Sequence, residues 1–547
     1  MNFPARHCLY ICTFAALLFF FGLGWRDFWA PVEPRYAEIV RIMFLKGEWI
    51  VPTINGELYT DKPILYFWLA LIGAKVLGAV TEWTVRLPAA LGGVGFVLAT
   101  YLIGRDFLNA RAGLIGAAVL ATSMRVLWEA RWAHVDTVFC AFFMFSLYFG
   151  ARALLRVGKA NEILLAYLFV ALATLTKGLI GIVLPGLLFA ALMLTRRDWR
   201  MIVEAKLHLG VPIFFLVAGP WVYLVGRATE GKWLTDFIYI HHIQRYTAGA
   251  GHRQPFYYYL TTLPVDFLPW TILLLPALLA YRPYLRKYRD PIGQFFILWF
   301  VTVFFFFSFS DTKRDLYLLP LLPILALFLG KYFDDLASGK LAQDTAFRWL
   351  TGSFFIIVAF IGFSLPPAAW FMRRDAFSAV FPASIALLAS GACAAIFIRR
   401  RQPLMLAASV AAMMALTVIG ASISIMPYLE NFKSPRPFAQ KVMGIVPPTA
   451  PIYIYADTMN DFNYYTGREV IPVLPAASAV DAWLARGQGG YLLVKDRDLR
   501  RLTQLPREWS VAADKRGTTT WHLIGMPIHS APQRMDESDT RRWKSKS

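Results

Sequence analysis

Residues 64–80 read Ile64-Leu-Tyr-Phe-Trp-Leu-Ala-Leu-Ile-Gly-Ala-Lys75-Val-Leu-Gly-Ala-Val80. The stretch is apolar apart from Lys75, and its reading decides how the rest of the chain is threaded. As a membrane span it would turn every later loop to the opposite side. As an amphipathic helix in the interface it leaves 26–83 as one long loop on a single side. The positive-inside rule separates the two. With the N-terminus in the cytoplasm and 64–80 interfacial, the cytoplasmic loops hold Arg105/Arg111, Arg152/Arg156/Lys159, Arg196/Arg197/Arg200/Lys206, Arg282/Arg286/Lys287/Arg289, Lys331/Lys340 and Arg399/Arg400/Arg401. With a span at 64–80 those loops change sides and the rule fails. The expectation is an outer-face loop 26–83 with no span in it.

The surrounding chain is that of a polytopic α-helical membrane protein. Of its 547 residues 57% are hydrophobic and 16% charged, against about a quarter charged in soluble domains. Its apolar runs are continuous, and a hydrocarbon core needs about 20 such residues per helix. The alternating ten-residue pattern of an outer-membrane barrel is not seen. Thirteen spans are expected: 8–25, 84–104, 112–128, 135–153, 163–176, 178–195, 208–226, 258–280, 292–309, 316–330, 350–366, 377–398 and 404–426. The run from Leu9 to Gly24 is followed by Trp25-Arg26-Asp27-Phe28-Trp29 rather than a small-residue cleavage site, so it reads as a retained first span.

The net charge of +20 sits in short loops, as orientation signals do, and not in a stripe that would track phosphates. Nucleic acid is therefore not expected as a partner. Cys8, Cys12, Cys140 and Cys393 lie in apolar segments as small hydrophobes and form no metal motif.

Residues 1–426 are thus expected to form the membrane domain, and 427–530 a small soluble α/β domain. Its strands are read at 452–455, 470–473, 491–494 and 520–524, with short helices at 458–465, 478–486 and 497–504. The polar tail 531–547 is expected to be disordered. An odd span count places this domain outside.

Candidate site residues collect on that same outer side. Pro34 suits the first turn of a helix, which puts Glu33 near its start. Arg35, Tyr36 and Glu38 follow on an interfacial helix. Tyr59-Thr60-Asp61-Lys62-Pro63 opens the next, where Lys62 could hold a lipid phosphate as a point charge or merely snorkel. Asp136 stands at the head of a span, in Glu129-Ala-Arg131-Trp-Ala-His134-Val-Asp136. A carboxylate at that depth is expensive unless paired or used, and His134 or Arg131 could be its partner. Thr176-Lys177-Gly178 lies at another outer span end. In the loop 227–257, Arg245 and Arg253 are candidate phosphate ligands. Lys313, Arg314 and Tyr317 offer a second cationic patch. Asp61, His241, His242 and His252 could assemble a zinc site, although their spacing matches no fixed zinc motif. No Walker loop or GxGxxG is present, so no nucleotide cofactor is expected.

Taken together these stretches resemble a known family. Trp29-Ala-Pro-Val-Glu-Pro-Arg-Tyr-Ala-Glu38, Gly47-Glu-Trp-Ile-Val-Pro52, Tyr59-Thr-Asp-Lys-Pro63, Thr176-Lys-Gly178, His242-Ile-Gln-Arg245 and His252-Arg-Gln-Pro-Phe-Tyr-Tyr258 are similar to the bacterial lipid A aminoarabinose transferases. Those enzymes belong to the protein mannosyltransferase-like superfamily. The resemblance implies a GT-C fold: thirteen spans, two juxtamembrane helices in the first periplasmic loop, and a periplasmic C-terminal domain. It implies a multi-pass protein of the bacterial inner membrane. It also implies inverting transfer of a sugar from a polyprenyl-phosphate donor to a lipid or glycan acceptor in the outer leaflet.

By the same resemblance Lys62 and Arg245 are ligands of the donor phosphate, Asp136 is the second periplasmic acid, and Asp61 stands where the family often has Glu near a bound metal. The family's first motif often reads Pro-Asp-Glu; here it reads Pro31-Val32-Glu33, so Glu33 and Asp136 are left as the candidate catalytic acids. Two other readings compete. A protein O-mannosyltransferase would share the chemistry with a different acceptor. A polyprenyl-glycan transporter would carry its ionisable groups near the bilayer midplane, whereas here they cluster at one face.

Overall fold

A computed structural model describes residues 3–244, 246, 253–283, 290–341, 345–487, 489–516 and 519–526. A helix lies at each of the thirteen expected span positions. Among the described residues, eight helices are long and apolar enough to cross a membrane, or nine if Tyr258–Asp266 and Thr271–Tyr281, bent by 104° at the break between them, count as one span. The eight are Glu82–Phe107, Asp136–Leu154, Leu207–Ala228, Pro291–Phe309, Asp315–Ala337, Phe347–Met372, Arg374–Arg399 and Pro403–Ile445. The remaining positions hold shorter helices.

In chain order the helices that position the site are α1 (Phe3–Phe20), α2 (Glu33–Lys46), α3 (Leu65–Leu77), α4 (Glu82–Phe107), α5 (Ala110–Ala121), α6 (Met124–Glu129), α7 (Asp136–Leu154), α8 (Glu162–Lys177), α9 (Ile180–Arg196), α10 (Arg200–Glu204) and α11 (Leu207–Ala228).

The ambiguous stretch 64–80 forms α3, of 13 residues. At 1.5 Å per residue it is about 20 Å long, short of a ~30 Å hydrocarbon core. Gly78 ends it at φ +75°, and Thr81 opens α4 with a capping box to Thr84. Lys75 is held at α2: its Nζ donates to the Phe44 carbonyl at 3.3 Å and lies 4.4 Å from that ring's centre.

The chain divides into two compact units. The first comprises Met1–Arg26, Ile39–Pro52 and Leu58–Leu429. Its core is one continuous cluster of apolar side chains from most of its helices. Close helix approach depends on small residues. A Cβ on Gly92 would meet the Val138 nitrogen at 2.6 Å, so glycine there lets α4 press against the start of α7, where Asp136 sits.

The second unit comprises Asp27–Glu38, Thr53–Glu57 and Glu430–Ser547. Its five-stranded sheet has the order β4-β3-β5-β7-β6, with β3 (Ile452–Tyr455), β4 (Val473–Leu474), β5 (Gly490–Lys495), β6 (Ser510–Arg516) and β7 (Thr519–Met526). β3 is parallel to both its neighbours, and β7 is antiparallel to β5 and β6. The β1–β2 hairpin (Thr53–Ile54, Glu57–Leu58) enters this unit through Asn55. The Asn55 amide donates to the Ile471 carbonyl at 3.1 Å and accepts from the Ile471 amide at 2.7 Å. The segment from Asp27 joins it as well: the Asp27 amide and the Trp29 indole donate to the two oxygens of Glu430 at 2.7 and 2.9 Å, and the Phe28 amide donates to the Tyr465 hydroxyl.

Candidate active site

Asp136 is the first residue of α7 and is 5% exposed. Its Oδ1 accepts from Lys177 Nζ at 2.5 Å. The neighbouring Thr137 hydroxyl donates to the Ala89 carbonyl at 2.8 Å, fixing this end of α7 to α4. Lys177 ends α8, with its ammonium 5.1 Å from the Phe139 ring and 5.3 Å from that of Tyr317. Two π faces and a carboxylate make a buried seat for one cation. The hydrogen-bonded partner of Asp136 is therefore Lys177; His134 lies near enough for its charge to act on Asp136 as well, whereas Arg131 is engaged elsewhere. Arg131 instead donates to the Phe21 carbonyl at 2.8 Å and the Ser422 hydroxyl at 2.7 Å. Burial and the nearby Arg26 and Arg86 push its guanidinium down to about 10.

His134 leans on Glu129, Nδ1 to Oε2 at 2.6 Å. Glu129, 1% exposed, also accepts from Arg125 at 3.3 Å. Arg125 carries on to Asp266 at 2.6 Å and to Asp315. Glu129, His134 and Asp136 offer ligand atoms within 4.8 Å of one another, a donor set that could hold a metal ion. Arg125 and Asp266 escaped the sequence reading. Their signal was present: each is an ionisable residue inside an expected apolar span, which is itself a functional or structural flag.

A second group forms at the head of α3. Lys62 Nζ donates to Asp61 Oδ1 at 3.2 Å and to the Asp61 carbonyl at 3.1 Å. His241 faces Asp61 Oδ1 at 3.3 Å through Nδ1 and Thr60 Oγ1 at 3.1 Å through Nε2. The Tyr59 hydroxyl reaches Asp61 Oδ2 at 3.4 Å. Lys62 is near enough for its charge to act on Asp136, so the two groups share one end of the bundle.

His242 turns elsewhere. Its Nδ1 faces the Phe237 carbonyl at 2.9 Å, and its Nε2 accepts from the Leu179 amide at 3.2 Å. A Cβ on Gly178, at φ +87°, would lie 2.6 Å from His242 Nε2. Glycine after Lys177 is thus required both by the backbone and by the imidazole. Of the residues expected to bind metal, Asp61 and His241 meet. Both nitrogens of His242 face protein groups in another place, and His252 lies outside the described residues.

Lys313 is buried, and its ammonium donates to the carbonyls of Gln254 at 3.1 Å and Ser310 at 2.5 Å. Burial lowers its pKa, and Asp311 opposes the shift. Arg314 is half-buried, and Tyr317 packs on Phe307 at 5.3 Å. Arg245 lies outside the described residues. Glu33 and Glu38 are fully buried and Tyr36 nearly so, all in the second unit, with Arg35 half-buried. There Glu33 Oε2 accepts from the Trp29 amide at 3.3 Å.

Residues 61–224 match the family profile of the dolichyl-phosphate-mannose-protein mannosyltransferases. The undecaprenyl phosphate-alpha-4-amino-4-deoxy-L-arabinose arabinosyl transferase of Shewanella sediminis is 29% identical over 484 residues, covering 83% of each chain. The enzyme of the same name from Edwardsiella ictaluri is 31% identical over 326 residues, and the chain spans 58% of its length. The crystal structure of ArnT from Cupriavidus metallidurans bound to undecaprenyl phosphate superposes with a TM-score of 0.77 at 22% identity, over 96% of this chain and 99% of that one. The fold is therefore GT-C, the architecture of the membrane glycosyltransferases. In sequence the chain is similar to the aminoarabinose transferases over most of its length, and it is a multi-pass membrane protein.

Proposed function

We propose that this chain is an inverting glycosyltransferase that moves a sugar from a polyprenyl-phosphate donor to a lipid A-like or glycan acceptor. Its site faces the periplasm across the bacterial inner membrane. The observation that carries the reading is the buried Asp136–Lys177 pair, with Lys62 near enough for its charge to act on Asp136, at one end of a GT-C bundle. The acceptor oxygen attacks the anomeric carbon, the bond from that carbon to the phosphate oxygen breaks, and the electron pair leaves on the polyprenyl phosphate. A phosphate is a weak base, so no general acid is required. Asp136 positions the acceptor and takes its proton; Lys62 and Arg245 offset charge on the departing phosphate.

The transporter reading fits less well, because the ionisable groups of the candidate site gather at an end of the bundle rather than midway. The mannosyltransferase profile match keeps a protein hydroxyl as the second acceptor class. Mass spectrometry of lipid A, surface glycans and periplasmic proteins from a deletion strain decides between them. Loss of a sugar from lipid A or a glycan supports the first reading, loss from a protein supports the second, and loss from neither rejects both.

Glu129, His134 and Asp136 suit a divalent cation in donor chemistry, and such an ion would add positive charge beside the leaving phosphate. Arg125 and Lys177 already offset both carboxylates, so chelation is expected to leave turnover nearly unchanged in a transfer assay. Sidedness has its own test. Cysteines placed at the exposed Glu57 and Ala79, either side of α3, should both react with an impermeant thiol reagent from outside, and opposite labelling rejects the topology.

Glu33→Gln and Val32→Asp test the other acid. A several-fold rise with Val32→Asp would mean that the acid usual at this position is merely missing. Loss of activity would mean that an apolar residue belongs to the acceptor site.

A further inference from the structure

A cavity of about 420 Å³ opens among α7, α8, α9, α10 and α11. That falls within the ~300–1,000 Å³ range of small-ligand pockets. Its walls are almost wholly apolar and include Val170, Gly186, Phe189 and Met193. The hydroxyls that border it are satisfied internally: Tyr167 donates to the Ala205 carbonyl at 3.0 Å and Ser146 to the Phe143 carbonyl at 2.7 Å. Nothing there invites water, and a dry apolar cavity takes an apolar occupant. Phe215 and Leu207 on its rim are 62% and 52% exposed, so it is reached sideways, from the surface that hydrocarbon covers.

The cavity shares α8 with the candidate active site. Lys177 ends that helix, and the wall residues Val170 and Ile163 lie seven and fourteen residues earlier. At 1.5 Å per residue those positions are about 10 and 21 Å below the site. The deeper one lies past the middle of a ~30 Å core, beyond what an outer-leaflet acyl chain reaches. A chain of eleven isoprene units is long enough to get there with its phosphate still at the surface.

We infer that this cavity holds distal isoprene units of the donor, so that the protein selects long polyprenyl tails through a site far from the chemistry. The inference rests on the proposed polyprenyl-phosphate donor. It explains why the wall of α9 is open at Gly186, where an added Cβ would meet nothing within 4 Å. A larger side chain there enters the cavity without striking backbone.

The test measures binding of undecaprenyl phosphate and of farnesyl phosphate to the full-length protein in nanodiscs. Gly186→Leu is compared with wild type and with Leu187→Phe, on the same helix but outside the cavity wall. Wild type and Leu187→Phe should prefer the long chain. Gly186→Leu should lose that preference by about tenfold or more, the equivalent of two buried methylene groups, with farnesyl phosphate binding unchanged. An unchanged preference in Gly186→Leu overturns the inference, and so does loss of a co-purified phospholipid with the preference intact, which would make the occupant an acyl chain. Equal loss of both ligands in a folded Gly186→Leu variant also overturns it. If neither phosphate binds wild type, the donor reading itself has failed and the inference falls with it.

Discussion

The two ends of the helix bundle are both rich in ionisable groups, yet they use different chemistry. Away from the site, Arg152 grips Glu162 through two bonds of 2.6 and 3.0 Å and also reaches Asp106. Asp106 further accepts from Arg105 at 2.5 Å and from the Tyr148 hydroxyl at 2.8 Å. Arg111 and Asn109 close on Asp334, while Tyr281 and Lys331 close on Asp335. Three of these four cations are guanidiniums, always charged and matched to carboxylates by forked geometry. Arg105 and Arg152 clamp the ends of α4, α7 and α8 together, and Arg111 ties α5 to the helix Leu322–Ala337. At the site end one guanidinium, Arg125, binds Glu129, Asp266 and Asp315 in the same manner, but lysine and histidine hold Asp136 and Asp61 and share Glu129. The lysine and histidine contacts are single-point contacts to each carboxylate, without the fork of a guanidinium. Lys177 engages one oxygen of Asp136. The difference teaches that charge at a membrane surface is not by itself a site, and that the kind of pairing separates a clamp from reaction machinery.

Asp136→Asn against Asp106→Asn should break the comparison if it is wrong. An acid–base role contributes about 10²–10⁴-fold, so Asp136→Asn should lower turnover by that much with donor binding nearly intact. Asp106→Asn should leave turnover within a few-fold and cost about 2 kcal/mol of stability, between the values for exposed and buried pairs. The readouts are a transfer assay and denaturation in detergent. Full turnover in Asp136→Asn, or collapse of turnover in a folded Asp106→Asn, removes the distinction between the ends.

Lys62→Ala against Arg111→Ala sharpens it. Lys62 is one-fifth exposed and pairs with Asp61, so it is placed to meet a ligand. Its removal should weaken undecaprenyl phosphate binding by about 2 kcal/mol, as for a charge-assisted hydrogen bond. Arg111→Ala should leave that affinity unchanged, because its guanidinium is spent on Asp334 and Ser338. Equal affinity across wild type and both variants would deny Lys62 the phosphate.

Most of the fold was legible because hydropathy writes spans directly and because charge bias discriminates against a span at 64–80. The C-terminal strands at 452–455, 491–494 and 520–524 were legible from their β-branched and aromatic runs. β6 was not, since Ser510-Val-Ala-Ala-Asp-Lys-Arg516 reads as polar; it is an edge strand, where charge is the rule. Recruitment of 27–38 and 53–57 into the second unit was invisible too, because it depends on long-range bonds such as Asn55 to Ile471. Within the site, the residue types pointed to Asp136, Lys177 and Lys62 one at a time. That Lys177 pairs with Asp136, and that Arg125 ties Glu129 to Asp266 and Asp315, required the helices to be brought together.

Lys313 supplies the smallest effect and the finest test, because it sits at the site end yet is bound like a clamp. Its ammonium is spent on the carbonyls of Gln254 and Ser310, and burial holds its pKa below the ordinary 10.5. Between the lowered folded value and 10.5 the unfolded chain binds more protons than the native one, so this group makes stability rise with pH through that alkaline window. Lys313→Met removes the titration. The difference in melting temperature between wild type and variant should therefore shift toward wild type as pH rises from neutral to about 10, while undecaprenyl phosphate affinity at neutral pH stays the same. A flat difference would mean that the ammonium is not desolvated in the native protein. A drop in donor affinity with Lys313→Met would instead move Lys313 from the clamps to the phosphate site, and the comparison between the two ends would have to be redrawn around it.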